Sequence, residues 1–241
     1  MPNGLDRLNA LGKIIPTHPA MRPKDSASLI ILDRSGAEPK VLLGRRHEDH
    51  AFMPGKFVFP GGRVEAADAR MPSASELDPH AAAKLMQGAS ARKARALALA
   101  AIRETFEETG LMLGVKQHKP PATPGGLWSA FADAGIYPDL APLQFVARAI
   151  TPPGLSRRFD TRFFAVDAQA ITHRTDGIVG PQAELVELLW VPLAETPQLG
   201  LHAITAVILD ELEVRAAAGM GPNLPVPCYR MKNQRFVREL L

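Results

Sequence analysis

The sequence predicts an α/β protein in which a mixed β-sheet is flanked by helices, and three observations lead to this prediction. Aliphatic or alternating runs typical of strands occur at 26–32, 40–46, 57–59, 143–150, 162–166 and 184–191. Two longer segments, 91–109 and 198–217, have the apolar periodicity of helices that pack on a sheet. The chain has 241 residues, of which 46% are hydrophobic and 22% are charged, as is ordinary for a globular protein with one core.

The N-terminal part predicts a leader followed by three strands. Residues 1–25 are rich in proline and lack a period, so we expect a leader that wraps around the fold or trails from it. The aliphatic run 26–32 predicts a buried strand, and 40–46 predicts a second one. A short strand at 57–59 leads into Gly61-Gly62, for which we predict a tight turn.

The middle of the chain predicts an inserted segment and then a helix. From 66 to 91 the composition shifts to Ala, Ser, Asp and Met with two prolines. Within this segment, 81–87 predicts a helix that Gly88 ends. A second helix, rich in acidic residues near its end, is expected from about 91 to 109.

The C-terminal part predicts strands and a last helix. A loop at 120–126 and a helical turn at 128–134 precede the later strands. The last helix, at 198–217, has an apolar face formed by Leu201, Ile204, Ile208 and Leu212. These elements complete a mixed sheet with helices packed against it, and the inserted segment forms a lid or wing.

Composition narrows the classes of function. A single cysteine, Cys228, excludes an internal disulfide framework and fits a reducing compartment. No run of about 18 apolar residues predicts a membrane span. The sequence has neither a secretory pattern at its start nor a peroxisomal tripeptide at its end, so we expect a cytoplasmic location. A net charge of +3 does not favour nucleic acid as a partner, but it is compatible with a small polyanionic substrate.

An acidic cluster on the helix at 91–109 predicts a cation site. Glu104, Glu107 and Glu108 have i, i+3 and i+4 spacing and therefore share one helix face. Crowded carboxylates repel one another unless a cation neutralises them, and ligands that offer only oxygen suit Mg²⁺ or Mn²⁺. The alternative for such a cluster, taken alone, is a solvated acidic helix face.

A second motif upstream decides between these alternatives. The run FPGGRVE at 59–65, followed by RETFEETGL at 103–111, resembles the motif of the Nudix hydrolase family, G-x5-E-x7-R-E-U-x-E-E-x-G-U with U aliphatic. Gly62 corresponds to its first glycine. The gap from Gly62 to Arg103 is 41 positions instead of 14, so about 27 residues are inserted. We expect the insertion to remove the motif's first glutamate, because Arg95 stands eight positions before Arg103, and Thr105 occupies an aliphatic position.

The resemblance implies a fold, a metal and a set of ligands. It implies a Nudix-type α/β/α sandwich, one domain over 1–241, with a helical insertion at about 68–94 between the Gly-Gly turn and the catalytic helix. A Mg²⁺ or Mn²⁺ ion would be bound by the carbonyl of Gly61 and by the carboxylates of Glu104, Glu107 and Glu108. Arg103 is expected to orient Glu107, because a guanidinium can pair with a carboxylate one helical turn further on.

The resemblance also implies a base and substrate-binding residues. A glutamate from a later loop serves as the general base in many members of the family. Glu184 and Glu187 are the candidates here, and we favour Glu184 because it lies at a junction of loop and strand. Arg46 and Arg158 are expected to contact phosphate, since a guanidinium matches two phosphate oxygens. A solvated surface charge is the alternative for Glu184 and for each arginine.

The insertion itself narrows the expected substrate. The run 52–68 is similar to a Nudix subgroup with an interrupted motif, which includes peroxisomal coenzyme A diphosphatases. A signature of Nudix enzymes that cleave coenzyme A, LLTxR[SA]x3Rx3Gx3FPGG, is matched in part, while Gly44, His47 and Ala51 depart from it. We therefore expect metal-dependent hydrolysis of a diphosphate linkage in a nucleoside diphosphate derivative, with coenzyme A or an acyl-CoA favoured.

Several alternatives stay open. Within the enzyme class, ADP-ribose, NADH and dinucleoside polyphosphates are the alternative substrates. Nudix folds also serve as ligand sensors or RNA-binding modules without catalysis, and the inserted segment could belong to a helical interaction protein. Several members of the family are dimers, so the resemblance includes a homodimer among the expected partners.

Overall fold

The structure is a computed structural model that describes residues 4–12, 15–19, 21–49 and 53–241. Its helices are α1 (Gly4–Asn9), α2 (Pro79–Met86), α3 (Ala91–Thr109), α4 (Ser129–Ala134) and α5 (Ala203–Ala217). The strands before α4 are β1 (Lys24–Asp33), β2 (Lys40–Arg46), β3 (Phe57–Val58), β4 (Gly61–Arg63), β5 (Leu111–Leu113) and β6 (Val115–Lys116). Those after it are β7 (Ile136–Tyr137), β8 (Gln144–Ile150), β9 (Phe159–Asp167), β10 (Ile171–Arg174), β11 (Leu185–Pro192), β12 (Pro227–Lys232) and β13 (Arg235–Leu240).

The predicted mixed sheet is confirmed. The main sheet has the strand order β11-β2-β1-β9-β8-β12-β13, with β3 paired to β2 and β4 paired to β1. The strand pairs β1–β9 and β8–β12 are parallel, whereas β1 pairs antiparallel with β2 and with β4. The pairs β5–β10 and β6–β7 form two small separate sheets.

Helices cover both faces of the main sheet. Successive residues of β1 point to opposite faces. Leu29 and Ile31 accordingly pack in the core cluster beneath α3, whereas Ile30 and Leu32 pack in the cluster beneath α5. Because both faces of β1 are buried, the architecture is an α/β/α sandwich, as the sequence predicts.

The helix α3 begins and ends where the sequence predicts. The Ser90 hydroxyl accepts from the backbone N–H of Lys93 at 3.3 Å and caps the first turn. Gly110 ends the helix with φ +74°, a left-handed conformation that a side chain disfavours. The hydroxyl of Thr105, which stands at an aliphatic position of the motif, is buried and donates to the Ala101 carbonyl at 2.7 Å.

The Gly-Gly segment is not a tight turn, and that prediction is wrong. Gly61 and Gly62 begin the strand β4, whose residues pair with β1 in the register Ser28↔Gly61. A Cβ added to Gly61 would lie 2.4 Å from the Ser28 hydroxyl oxygen. The glycine is thus required by the close approach of two strands, and sequence alone does not distinguish that requirement from a turn.

The N-terminal leader is partly structured. Its residues 4–9 form α1, in which Leu8 is buried in the cluster beneath α5. The strand β1 begins at Lys24, inside the expected leader, because Lys24 and Asp25 already pair with β9. Residues 4–9 therefore pack against the fold through Leu8.

The last helix is shorter than predicted, and the two strands of the C-terminal hairpin are among those that were not predicted. Residues 193–198 form a short 3-10 helix that contains Pro197, so α5 begins only at Ala203. The chain ends with the hairpin β12–β13, which joins the sheet through β8. Among the described residues, no helix is long and apolar enough to cross a membrane.

Candidate active site

Three carboxylates of α3 lie where the helix packs against β1 and β4. Glu108 has only 3% of its side chain exposed, and the backbone N–H of Gly61 donates to its Oε2 at 3.0 Å. Glu104 lies against Gly62, where an added Cβ would come within 2.4 Å of Glu104 Oε2. Glu107 is more open, with 46% of its side chain exposed. Gly62 thus makes room for Glu104, and Gly61 binds Glu108 through its backbone N–H.

The contact between Gly62 and Glu104 leads to a first prediction. We expect Gly62→Ala to displace the Glu104 carboxylate, because the new Cβ cannot be accommodated at 2.4 Å. Activity should fall roughly 10- to 100-fold, as for disturbed neighbours of a metal ligand. The measurement is kcat/KM together with the melting temperature. The matched control is Gly221→Ala, where an added Cβ meets no atom within 4 Å. Equal activity of the two variants would contradict the prediction.

Arg103 organises the carboxylates from inside the core. Only 2% of its side chain is exposed. Its Nη1 lies 3.0 Å from Glu104 Oε1 and 3.3 Å from Glu107 Oε2. Its Nη2 donates to the carbonyl of Arg63 at 2.8 Å, which ties α3 to β4. The expected pairing of Arg103 with Glu107 is therefore present, and one guanidinium holds two acidic side chains in place.

Asp68 holds Arg103, and sequence reasoning missed it. The carboxylate is fully buried and accepts from Arg103 Nε at 2.7 Å and from Nη2 at 3.1 Å. It also accepts from Trp128 Nε1 at 3.1 Å and from the backbone N–H of Glu65 at 2.7 Å. Four donors thus satisfy one buried carboxylate, as the burial of a charge requires. These bonds outweigh the burial that opposes the charge of Arg103 and raise its pKa.

The signal that could have found Asp68 is its spacing. It stands six positions after Gly62, where the motif has its first glutamate. The expectation that the insertion removes this acid is therefore wrong: an aspartate replaces the glutamate, and the insertion follows it. Arg95, which stands where the uninterrupted motif would place the acid, binds within the insertion instead. Its Nε lies 3.0 Å from Glu76 Oε1, and its Nη2 donates to the Met71 carbonyl at 2.9 Å.

Burial raises the pKa of all three carboxyl groups of the cluster. The pKa of Glu104 rises from 4.5 to about 7, mainly through burial; Arg103 opposes the rise, and the charge of Glu107 adds to it. Burial likewise raises the pKa of Glu107; the positive charge of Arg103 opposes this rise, and the negative charge of Glu184 adds to it. Burial and then the charge of Glu184 place the pKa of Glu108 well above its usual range. The cluster therefore resists full ionisation unless a cation binds.

This resistance leads to a second prediction, on stability against pH. A carboxyl group whose folded pKa exceeds its unfolded pKa binds more protons when folded, so stability falls as pH rises between the two values. For Glu104 the window runs from 4.5 to about 7. In EDTA, Glu104→Gln should therefore gain stability over the wild type across this window, on the order of 3 kcal/mol, because one pKa unit is about 1.4 kcal/mol. Urea unfolding at pH 4.5 and pH 8 measures the difference. The prediction would be contradicted if the difference in the free energy of unfolding between the variant and the wild type were the same at both pH values.

Arg46 and Glu184 join the cluster from the neighbouring strands. Arg46 is buried at the end of β2, and its Nη1 donates to Glu184 Oε1 at 2.8 Å. Its Nη2 lies 3.9 Å from Glu108 Oε1, so Arg46 stands between the two acids. Glu184 precedes β11, at the predicted junction of loop and strand, and 44% of its side chain is exposed. Glu187, the other candidate base, pairs with Arg45 at 3.0 Å.

Comparison with known proteins identifies the family. The NUDIX domain matches residues 22–212, which is most of the chain. The chain belongs to the NUDIX domain family. It is similar to the solved NUDIX hydrolase of Alicyclobacillus acidocaldarius, with 28% identity over 82% of this chain and 96% of that one and a TM-score of 0.57. This Nudix protein is therefore a hydrolase with the Nudix fold.

Two further solved structures resemble this Nudix hydrolase more distantly. The MutT NUDIX hydrolase of Burkholderia pseudomallei is 16% identical, with 80% of this chain and 99% of that one covered and a TM-score of 0.45. The NUDIX domain of a Shewanella oneidensis protein, solved with ADP ribose, is 13% identical, with 81% and 90% covered and a TM-score of 0.45. At these identities the likeness concerns the fold alone.

The donor set of this Nudix hydrolase fits the divalent cation that the family uses. Carboxylate oxygens are the ligands that Mg²⁺ and Mn²⁺ prefer, and a nearby cation offsets the burial that raises their pKa. Within residues 4–12, 15–19, 21–49 and 53–241, no three acidic, imidazole or thiol side chains are grouped closely enough to form a ready-made metal site. The assignment of Gly61, Glu104, Glu107 and Glu108 as ligands stays a prediction, and it requires these side chains to turn toward a shared ion.

Arg158 lies away from this cluster. It precedes β9, and its Nε donates to the Thr151 carbonyl at 3.1 Å, while its Nη1 contacts the Met21 carbonyl. In the part of the chain that the structure describes, these contacts bind Arg158 to loops and not to the carboxylates. Its expected role in substrate binding stays a prediction, in contrast to Arg46, which lies at the cluster.

Proposed function

We propose that this Nudix hydrolase cleaves a diphosphate linkage in a nucleoside diphosphate derivative, with Mg²⁺ or Mn²⁺ as its cofactor. The observation that carries the proposal is the arrangement around Glu104, Glu107 and Glu108. The three carboxylates share one face of α3 and have raised pKa values; buried Arg103 contacts Glu104 and Glu107, and buried Arg46 lies 3.9 Å from Glu108. A bridge between two phosphates is anionic and resists attack by water. Its hydrolysis therefore requires positive charge beside the phosphates, which a divalent cation bound by acidic side chains would supply.

Each residue of the proposed mechanism has a role that follows from its contacts. Glu104, Glu107, Glu108 and the carbonyl of Gly61 would bind the cation, which neutralises the phosphates and lowers the pKa of a bound water. Arg103 positions Glu104 and Glu107 through its Nη1. The exposed Glu184 would accept the proton of the attacking water, as a general base requires access to it.

Arg46 would act on both the base and the substrate. Its contact with Glu184 at 2.8 Å holds that side chain beside the cluster. A guanidinium in this position could also bind an oxygen of a substrate phosphate. The expected contact of Arg46 with substrate is thus supported by its place between Glu184 and Glu108.

We further propose that coenzyme A or an acyl-CoA is the favoured substrate and that the protein belongs to the Nudix subgroup with an interrupted motif. The support comes from the residues that match the signature. Arg46 lies 3.9 Å from Glu108, Gly61 donates its backbone N–H to Glu108, and Gly62 abuts Glu104. The matched pair Leu42-Leu43 is buried in the core of β2 and serves packing. The same chemistry would also serve ADP-ribose, NADH or dinucleoside polyphosphates.

The domain bounds, the location in the cell and the oligomeric state are proposed mainly from the sequence. We propose that residues 1–241 act as one Nudix domain with an insertion at about 68–94. A cytoplasmic location is supported by the single cysteine, Cys228, which is buried and unpaired by any disulfide. A homodimer is part of the proposal through the family resemblance alone.

A substrate panel tests the proposed function. Coenzyme A, acetyl-CoA, ADP-ribose, NADH and a dinucleoside polyphosphate are incubated with the protein in ¹⁸O-water, with Mg²⁺ or Mn²⁺ and with EDTA. We expect cation-dependent cleavage of at least one compound, with the label in only one of the two products as read by mass spectrometry. The labelled product identifies the attacked phosphorus. Unchanged compounds throughout the panel would contradict the proposal and favour a ligand-sensing or RNA-binding module.

A further inference from the structure

A basic cleft lies beside the acidic cluster and is not used by the mechanism above. It has a volume of about 900 Å³ and lies between the segment 22–25, the strand β4 with its following residues, and the first turns of α3. Five cationic residues line it: Arg22, Lys24, Arg63, Arg92 and Lys93. Two acidic residues, Asp25 and Glu65, also line it, so the lining carries a net charge of +3.

The two acids do not neutralise this cleft. Asp25 is already paired, since Lys93 Nζ lies 2.5 Å from its Oδ2 and Arg162 Nη1 lies 3.1 Å from its Oδ1. Glu65 is exposed, and its charge acts on the catalytic side, where it raises the pKa of Glu107. Within the described residues, no carboxylate pairs with the other four cations, which are Arg22, Lys24, Arg63 and Arg92. The cleft thus holds a local excess of positive charge.

The cleft lies next to the proposed site of hydrolysis, because both are bordered by β4 and α3. Arg63 follows Gly62, which abuts Glu104, and the Arg63 carbonyl accepts from Arg103 at 2.8 Å. At the far end, Arg92 precedes Glu104 by 12 positions on α3, which is about 18 Å along the helix axis. A molecule bound across both regions would therefore have the length of a dinucleotide or of a nucleotide with a long substituent.

We propose that this cleft binds a second phosphate group of the substrate, separate from the diphosphate that is cleaved. This inference rests on the proposed function. It narrows the substrate class to nucleoside diphosphate derivatives that carry an additional phosphomonoester. A phosphomonoester has close to two negative charges at neutral pH, and guanidinium groups match its oxygens in pairs. A compound without that group leaves the four cations without their ligand.

The insertion acquires a role in this inference. Arg92 and Lys93 belong to its last residues, and Ala69 lies at its start. The inserted chain leaves the cleft at one side and returns at the other, where Ser90 caps α3. A protein that joined Asp68 to Arg103 by the short motif would lack the Arg92 side of the cleft. In this inference the insertion determines substrate specificity beside the site of hydrolysis.

Pairs of substrates that differ by one phosphate test the inference. NADPH and NADH form one pair, and coenzyme A and 3′-dephospho-coenzyme A form the other. We expect the wild type to prefer the phosphorylated member in kcat/KM. Arg92→Gln and Arg22→Gln should each reduce that preference roughly tenfold, because a hydrogen bond to a charged group is worth about a factor of ten or more. The unphosphorylated member should be hydrolysed at the same rate by all variants.

A control variant and a binding measurement test whether the effect is specific to the cleft. The control variant is Arg235→Gln, which removes an exposed arginine of β13 and should leave the preference unchanged. Binding of 3′,5′-ADP and of 5′-AMP is measured by calorimetry without a cation, and only 3′,5′-ADP should bind more weakly to Arg92→Gln. Equal hydrolysis of both members of each pair, or an equal loss on both, overturns this inference and leaves the proposed function intact. Absence of hydrolysis for every compound with the wild type overturns the proposed function instead.

Discussion

Glu107→Gln is expected to reduce kcat by roughly 10³-fold while leaving the fold intact. A divalent cation contributes several kcal/mol to a transition state, and 1.36 kcal/mol corresponds to a factor of ten in rate. Losing one of three anionic ligands removes most of that contribution. Glutamine has nearly the same shape as glutamate and stays neutral, so the burial that raises the pKa of Glu107 does not penalise it. The measurement is kcat with Mg²⁺ at saturating substrate, beside the free energy of unfolding.

A matched control separates ligation from a general change in charge. Glu187→Gln removes an acid of similar exposure, with 41% of the side chain accessible, from a pair with Arg45 on the same sheet. We expect it to retain wild-type activity, since its partner lies on the sheet and not in the cluster. Calorimetry should also show weaker Mn²⁺ binding for Glu107→Gln than for Glu187→Gln. A Glu107→Gln enzyme with normal turnover would refute the assignment of Glu107 as a ligand.

Local signals explain which parts of the fold could be predicted. The helix α3 was predictable because its period, its Ser90 cap and its final Gly110 all lie within one segment. The hairpin β12–β13 was not, because β12 pairs with β8, about 80 residues earlier in the sequence. Its outer strand, β13, also contains charged residues and therefore lacks an apolar run. One of them, Glu239, pairs with Arg230 of β12 across the hairpin.

The same distinction applies to the site. Glu104, Glu107 and Glu108 share a helix face by spacing alone, so sequence was sufficient to group them. Asp68 meets Arg103 only in the fold, 35 positions away, with the insertion between them. No pattern in the intervening residues records that contact, although the spacing from Gly62 does.

Asp68→Asn is expected to lower the free energy of unfolding by about 3–5 kcal/mol, the largest effect on stability that we predict. Arg103 would keep its charge in the core with 2% of its side chain exposed, but would lose its fully buried carboxylate partner and keep only the less buried Glu104 and Glu107. Removing one partner of a buried ion pair leaves buried charge poorly compensated, which costs more than the pair itself contributes. The amide can also accept only at its single oxygen, whereas Arg103 and Trp128 now donate to a carboxylate that has two. Urea unfolding at pH 7 measures the change.

Two further variants make this expectation specific to the buried pair. Glu76→Gln breaks the exposed pair with Arg95, in which 67% of the glutamate side chain is accessible, and should cost less than about 1 kcal/mol. The double variant Asp68→Asn/Arg103→Met removes both charges and should be more stable than Asp68→Asn alone, since no buried cation remains without its buried partner. If Asp68→Asn unfolds at the same urea concentration as the wild type, Arg103 does not depend on Asp68. The cluster would then be positioned by β4 alone, through the carbonyl of Arg63.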